Sequence, residues 1–379
     1  MPTPASFMKD IQQASSIRFN NLGYELKAAG RDLIVLSLGE AFFDIPLYGF
    51  DDLPFPDIYH YSHSRGILAL RQKIAGYFKT QYEVSFSPDR NIIITAGSKL
   101  AIYMSLLAIL NPGEEVIIFE PYWVSYPEQV KLCRGRPVTL PVGSRVEDVI
   151  NYITPQTKAI ILNNPHNPSG RVYSFQETEY LANIAKEHDL YILSDEVYSD
   201  FVPEREQFTS MGVFGFENVV LCNSISKNYG ISGWRLGYVI GNDTLIDEIL
   251  KINQHVLTCP ATILQYYVEK HFYDIVKITK PQIQKVLAQR ERTVAFMDKL
   301  GIEHLPGSAA WYIFASIKPS SLGSEEFCRR LLYEYNTLTV PGIGYGESCD
   351  SFIRVCVGTE TTDRIEQGIK NIQDLIDKS

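Results

Sequence analysis

Several features that would assign a chain to a membrane, a nucleic acid or a metal are missing from this sequence. No run of eighteen apolar residues occurs in its 379 residues, so no helix is expected to span a bilayer. Basic residues do not predominate. Against 35 Lys and Arg stand 44 Asp and Glu, and the net charge of −9 lacks the basic face that a nucleic acid or an anionic lipid surface requires. The six cysteines (Cys133, Cys222, Cys259, Cys328, Cys349, Cys356) form no CxxC, and no Cys–His spacing fits a zinc site. Buried free thiols in a reducing, cytoplasmic compartment are expected instead. The opening MPTPASFMKDIQQ has no basic segment followed by an apolar one, so no signal peptide is expected. Repeats, low-complexity tracts and flexible linkers are absent too.

What is present is an ordinary globular mixture, 45% apolar and 21% charged, with ample material for a core. At this length two structural units are expected. Short apolar runs occupy residues 91–95, 115–120, 158–164, 191–196 and 218–224. Their continuity predicts strands buried on both faces, as in a parallel sheet. Helical patterns lie between them. One starts at Ser98 and stops at NPG; another starts at Ser174, with Glu177 at capping-box spacing. Strand and helix in alternation predict a doubly wound α/β domain, whose ligands bind where the carboxyl ends of the strands meet the loops. After about Leu250 the texture changes to a long helix over 280–300, three strand-like runs and a final helix from Thr361, which predicts a smaller α+β domain.

The strand ends carry the chemistry. The first gives TAGSK, where Gly97 and Ser98 open a helix whose free N–H groups can cradle an anion, although many helices start this way. The third gives NNPHNPSG, which reads equally as a stiff turn or as a site. The fourth gives Asp195, a carboxylate that ends an apolar strand and needs a partner there, unless it caps a helix. The fifth gives SISKNYGISGWRLGY, with Ser224 three residues before Lys227 and Arg235 eight after it. A lone lysine there is ordinarily a solvated one. Beside an anion site, it also suits covalent catalysis through its amine.

In this order and spacing, NPHNPSG, SDEVY and SxSKxxxxxGxRxG resemble the class I and II aminotransferases, pyridoxal-phosphate enzymes of fold type I. The resemblance runs from LGEAFFDIP near Gly39 to FIRVCVGTE. It implies a large domain over 40–275 and a small domain formed by 1–39, with an N-terminal arm, and 276–379. It also implies that Lys227 holds pyridoxal 5'-phosphate as a Schiff base and later moves the substrate's α-proton. Asp195 would pair with the ring nitrogen, and Asn167 and Tyr198 with the phenolic oxygen. Ser224, Arg235, Gly97, Ser98 and Lys99 would surround the phosphate, and Trp123 would stack on the ring. Tyr61 would reach the phosphate from a neighbouring subunit, which implies a homodimer with shared sites. Arg354 would grip the substrate α-carboxylate, with the backbone of Gly39 close to it.

The same resemblance favours an acidic donor such as aspartate or glutamate, with a 2-oxo acid as acceptor. PYWVSYPE and GSK look like the bacterial aspartate aminotransferases, in which a lysine at the place of Lys99 contacts the distal carboxylate. Arg18, in the arm, is a second candidate for that contact. Asn167 and Trp123 also belong to the expected substrate pocket. GEAFFDIP departs from the usual GEPDFDTP, and residues 47–60 are shorter and richer in proline and aromatics than the usual helix. Two other readings compete with a transaminase. One is a lyase or cyclising enzyme on the same scaffold, such as a C–S lyase. The other is a non-enzymatic cofactor-binding regulator, which the retained catalytic side chains disfavour.

Overall fold

The computed structural model describes residues 2–379. In chain order it contains α1 (Ser15–Ala28), β1 (Ile34–Val35), α2 (Leu68–Tyr82), β2 (Ile92–Thr95), α3 (Ser98–Ile109), β3 (Glu115–Phe119), α4 (Tyr126–Leu132) and β4 (Arg136–Leu140). There follow β5 (Thr157–Asn163), α5 (Phe175–Glu187), β6 (Tyr191–Asp195), β7 (Val219–Ser224), β8 (Gly237–Ile240), α6 (Asp243–Val256) and the 39-residue α7 (Thr262–Leu300). The last part holds β9 (Tyr312–Ser316), α8 (Ser324–Tyr335), β10 (Thr337–Leu338), β11 (Val340–Pro341), β12 (Phe352–Cys356) and α9 (Thr362–Lys378).

Seven strands form one sheet in the order β2-β8-β7-β6-β5-β3-β4. The pairs from β7 to β4 are parallel, and β8 runs antiparallel to both of its neighbours. Both faces are covered, which explains the uninterrupted apolar runs. Ile94, Ile117, Ile160, Ile192 and Leu221 point into a core shared with α2, α5 and the start of α7. Their strand neighbours Ile93, Val116, Ile161, Leu193 and Val220 point into a second core shared with α3, α4 and α6. This is the doubly wound α/β architecture expected from the sequence. Two strands of the sheet, β4 and β8, lie outside the five apolar runs.

A smaller unit packs against the sheet. The antiparallel strands β11-β12-β9 are covered by α8 and α9, and Phe19, Leu33 and Leu36 share their core. The helix α7 joins the two units. Its residues Tyr267, Val268, Phe272 and Ile275 belong to the sheet core, whereas Ile283, Leu287 and Met297 belong to the smaller core. It kinks at His271, whose backbone is not helical, and carries Pro281 further on. The boundary expected at 275/276 falls inside this helix. No helix among the described residues is long and apolar enough to cross a membrane.

The start of α5 follows the predicted capping box. Ser174 Oγ accepts from Glu177 N at 3.2 Å, and Glu177 Oε2 accepts from Ser174 N at 2.8 Å. Ser174→Ala should therefore cost about 1 kcal/mol. A lowered urea midpoint with the near-ultraviolet circular dichroism of the folded chain unchanged would match this role.

Candidate active site

The register of the sheet assembles the site. Asn163 pairs with Asp195 across β5 and β6, and Asp195 pairs with Cys222 on β7. Gly237 lies between Ser224 and Thr95. Because β8 is antiparallel, its first residue sits at the carboxyl ends of the parallel strands, so Arg235 just before it arrives at the same edge. A cavity of about 220 Å³ opens there.

Lys227 enters this cavity from the turn after β7. Its Nζ donates to Gly39 O at 2.7 Å and has no carboxylate within ion-pair distance. Burial pushes the pKa of this amine down to about 8; Glu40 draws it up, while Arg354 and Arg235 press it lower. Asp195 is buried and also lacks a cationic partner. Tyr126 Oη donates to its Oδ2 at 2.6 Å and Val197 N to its Oδ1 at 3.4 Å. Burial raises its pKa to about 6, and these two donors limit the rise. Asn163 fixes the next loop, since its Oδ1 accepts from Asn167 N at 2.7 Å and its Nδ2 donates to Asp195 O at 2.9 Å. The Tyr198 hydroxyl is 2.7 Å from that of Tyr312.

The far end of the cavity is built for an anion. Gly97 precedes α3, and no side chain caps the helix, so the N–H groups of its first turn, before Ala101, are left free. A Cβ at Gly97 would meet the guanidinium of Arg235, and its φ of +84° also calls for glycine. Arg235 Nη1 donates to Ser232 O at 2.7 Å. Ser224 and Ser226 complete this end.

Opposite stands Arg354 of β12, buried, with Nη2 donating to Ser37 O at 2.8 Å and Nη1 to Asn167 Oδ1 at 3.3 Å. Its guanidinium lies 4.7 Å from the Tyr312 ring and 5.5 Å from the Tyr345 ring, and its Nε has no acceptor. Lys99 sits 4.9 Å above the Trp123 ring at the cavity wall. Desolvation, followed by the nearby Arg235, lowers the pKa of Lys99.

The structure thus brings Gly39, Ser98, Lys99, Trp123, Asn167, Asp195, Tyr198, Ser224, Lys227, Arg235 and Arg354 around one cavity, with Gly97 directly behind. Two expected residues lie apart from it in this chain. Arg18 turns to Glu325, with 2.9 Å between Nη2 and Oε1, and Tyr61 is 87% exposed. Sequence reasoning did not identify Ser16 and Asn20 on α1, Asn163, Tyr126, Ser226, Ser232 or Tyr312. Asn163 stood in the quoted NNPHNPSG and Tyr126 in PYWVSYPE, so both were within reach. Ser16, Asn20 and Tyr312 arrive from distant segments without a local motif.

Comparison with known proteins shows the family and the fold. The family model Aminotransferase class I and II matches residues 51–372. The aspartate aminotransferase of Pyrococcus abyssi is 32% identical over 367 residues, covering 92% of this chain and 94% of that protein. The aromatic-amino-acid aminotransferase 2 of Thermococcus litoralis has the same identity and coverage. Among solved structures, the aspartate aminotransferase from Thermus thermophilus with maleate superposes with a TM-score of 0.89 at 26% identity. That match covers 99% of this chain and 100% of the other.

The depressed pKa of Lys227 can be tested directly. In the cofactor-free chain, acylation of this amine followed by peptide mass spectrometry should be half-maximal near pH 8. Solvated lysines should reach that point about two units higher, near their ordinary value.

Proposed function

Because the chain belongs to the class I and II aminotransferases, and is with them a pyridoxal-phosphate-dependent transaminase, we propose which side chains carry the reaction and which donor they select. Four cations, Lys99, Lys227, Arg235 and Arg354, face a cavity whose only lining carboxylate among the described residues is Asp195. None of the four has an ion-pair partner among the described residues. The formal excess of three positive charges, four minus one, is the observation that carries this reading, since it calls for a ligand with several anionic groups.

The donor set fits pyridoxal 5'-phosphate. The uncapped start of α3, Ser224 and Arg235 suit a phosphate, Asp195 suits a protonated ring nitrogen, and Lys227 lines the same cavity. When bound, the cofactor supplies an electron sink for the bond at the substrate's α-carbon. Arg354 holds the α-carboxylate through the hydrogen-bond capacity it has to spare, and Asn167 and the Ser37 carbonyl fix its plane. Lys227 Nζ, whose lowered pKa makes the neutral amine accessible near neutrality, takes the α-proton and returns it. Tyr126 and the N–H of Val197 keep Asp195 ionised despite its burial. Tyr198, whose hydroxyl is held by that of Tyr312, would donate to the phenolic oxygen of the cofactor.

We assign an acidic donor, aspartate or glutamate, to the site. Lys99 supports this: it stands over Trp123 at the wall of the substrate cavity, without a carboxylate of its own. A 2-oxo acid accepts the amino group in the second half-reaction. The active unit is a homodimer, in which a second copy supplies Tyr61. The strong exposure of Tyr61 together with Leu47, Phe55 and Tyr59 supports an interface there. The six unpaired cysteines suit a cytoplasmic setting.

A panel of amino donors added to the holoenzyme tests both reaction and substrate. Aspartate and glutamate should convert the cofactor absorption to its aminated form, and failure of every donor would refute transamination. Lys99→Ala should lower kcat/KM for dicarboxylic donors by roughly tenfold or more, the scale of one lost charge-assisted contact. An equal loss for alanine would remove the distal-carboxylate role. Lys227→Ala should abolish turnover while the circular dichroism spectrum remains that of the folded chain.

A further inference from the structure

Outside the catalytic cavity, the Asp200 carboxylate lines a cavity without a cation bonded to it. Asp200 follows the end of β6. Its Oδ1 accepts from Tyr77 Oη at 2.7 Å and from Tyr82, and its Oδ2 accepts from Asn228 Nδ2 at 2.6 Å. All three donors are neutral, and a carboxylate has about four acceptor positions, so one remains on Oδ2. The cavity beside it holds about 200 Å³. Tyr77 of α2 and Asn228 line one side; Tyr273, Val276, Lys280 and Ile283 of α7 line the other. Lys280 also lacks a carboxylate partner among the described residues, so the two charges face one space without meeting.

The location gives such a site leverage. The cavity lies on α7 between its residue Ile275 in the sheet core and its residue Leu287 in the smaller core, where the helix passes from one unit to the other. Asn228 is adjacent in sequence to Lys227, and its Oδ1 has no donor.

We propose that this cavity is a second, non-catalytic site for a small aliphatic α-amino acid. Its ammonium binds Asp200, its carboxylate turns to Lys280, and its side chain packs on Val276 and Ile283. An ammonium brings three donors to a carboxylate with an acceptor position to spare, and the opposite ends of a zwitterion satisfy both unpaired charges at once. The bound molecule braces α2 against α7 at the crossing between the two units, and it touches the residue next to the catalytic lysine.

Equilibrium dialysis of labelled L-valine against the holoenzyme tests this, with the cofactor in its aminated form so that the catalytic cavity has no aldehyde to capture an amine. Wild-type enzyme and Arg354→Leu should each retain one valine per chain. Asp200→Asn and Lys280→Met should each weaken retention by roughly tenfold or more, the scale of losing one charged partner. Lys280 is exposed, so Lys280→Met keeps the test valid even where Asp200→Asn disturbs folding. No saturable retention by wild type up to about 10 mM, the weak end of specific binding, would overturn the site. So would retention that Lys280→Met leaves unchanged, or retention lost only in Arg354→Leu, which would place the valine in the catalytic cavity.

Discussion

An excess of positive charge in one cavity of a chain whose net charge is −9 governs the active site. Desolvated cations are costly unless they are paired, yet Arg354 is buried with only neutral acceptors around it, and the amine of Lys227 meets only a backbone carbonyl. Two tyrosine rings beside Arg354 and a carbonyl beside Lys227 moderate the cost without removing it. Pairing these groups internally with carboxylates would stabilise the empty protein and blunt its affinity for anions. The unpaired arrangement instead leaves their charge available to a ligand, and burial moves both Lys227 and Asp195 toward their neutral forms.

Strand register converts dispersed sequence into this concentration of charge. Asn163, Asp195 and Ser224 terminate three consecutive parallel strands and stand in neighbouring rows. The antiparallel β8 returns Arg235 to the same edge, where it packs on Gly97. Arg354 comes from the other unit altogether, held by the β9–β12 pairing, in which it lies opposite Phe314. Each motif therefore depends on a different long-range pairing, and the cavity exists only when all of them form.

Much of this was legible in the sequence. Continuous apolar runs announced the buried strands, since covering both faces removes alternation. Ser174 and Glu177 marked the start of α5, and the polar groups at the strand ends marked the active edge. The parts that stayed hidden have physical reasons. The strand β8 is only four residues long and opens with glycine, so it carries little pattern of its own. The helix α7 hides its crossing from one core to the other, because a helical repeat does not reveal which neighbour it faces. Tyr126 reads as another aromatic in PYWVSYPE until the fold places its hydroxyl on Asp195. Arg18 invited a role through its place in the N-terminal arm, and in this chain its guanidinium pairs with Glu325.

The continuity of α7 has an evolutionary corollary. One rod of backbone is rooted in both hydrophobic cores, so neither half of the molecule could be traded as an independent cassette, or lost, without tearing open the other. Drift in such a protein is channelled to loops and to the cavity rim, while the frame between the lysine and the distant arginine stays fixed. New substrate preferences would then accumulate as changes of lining on an unchanging chassis.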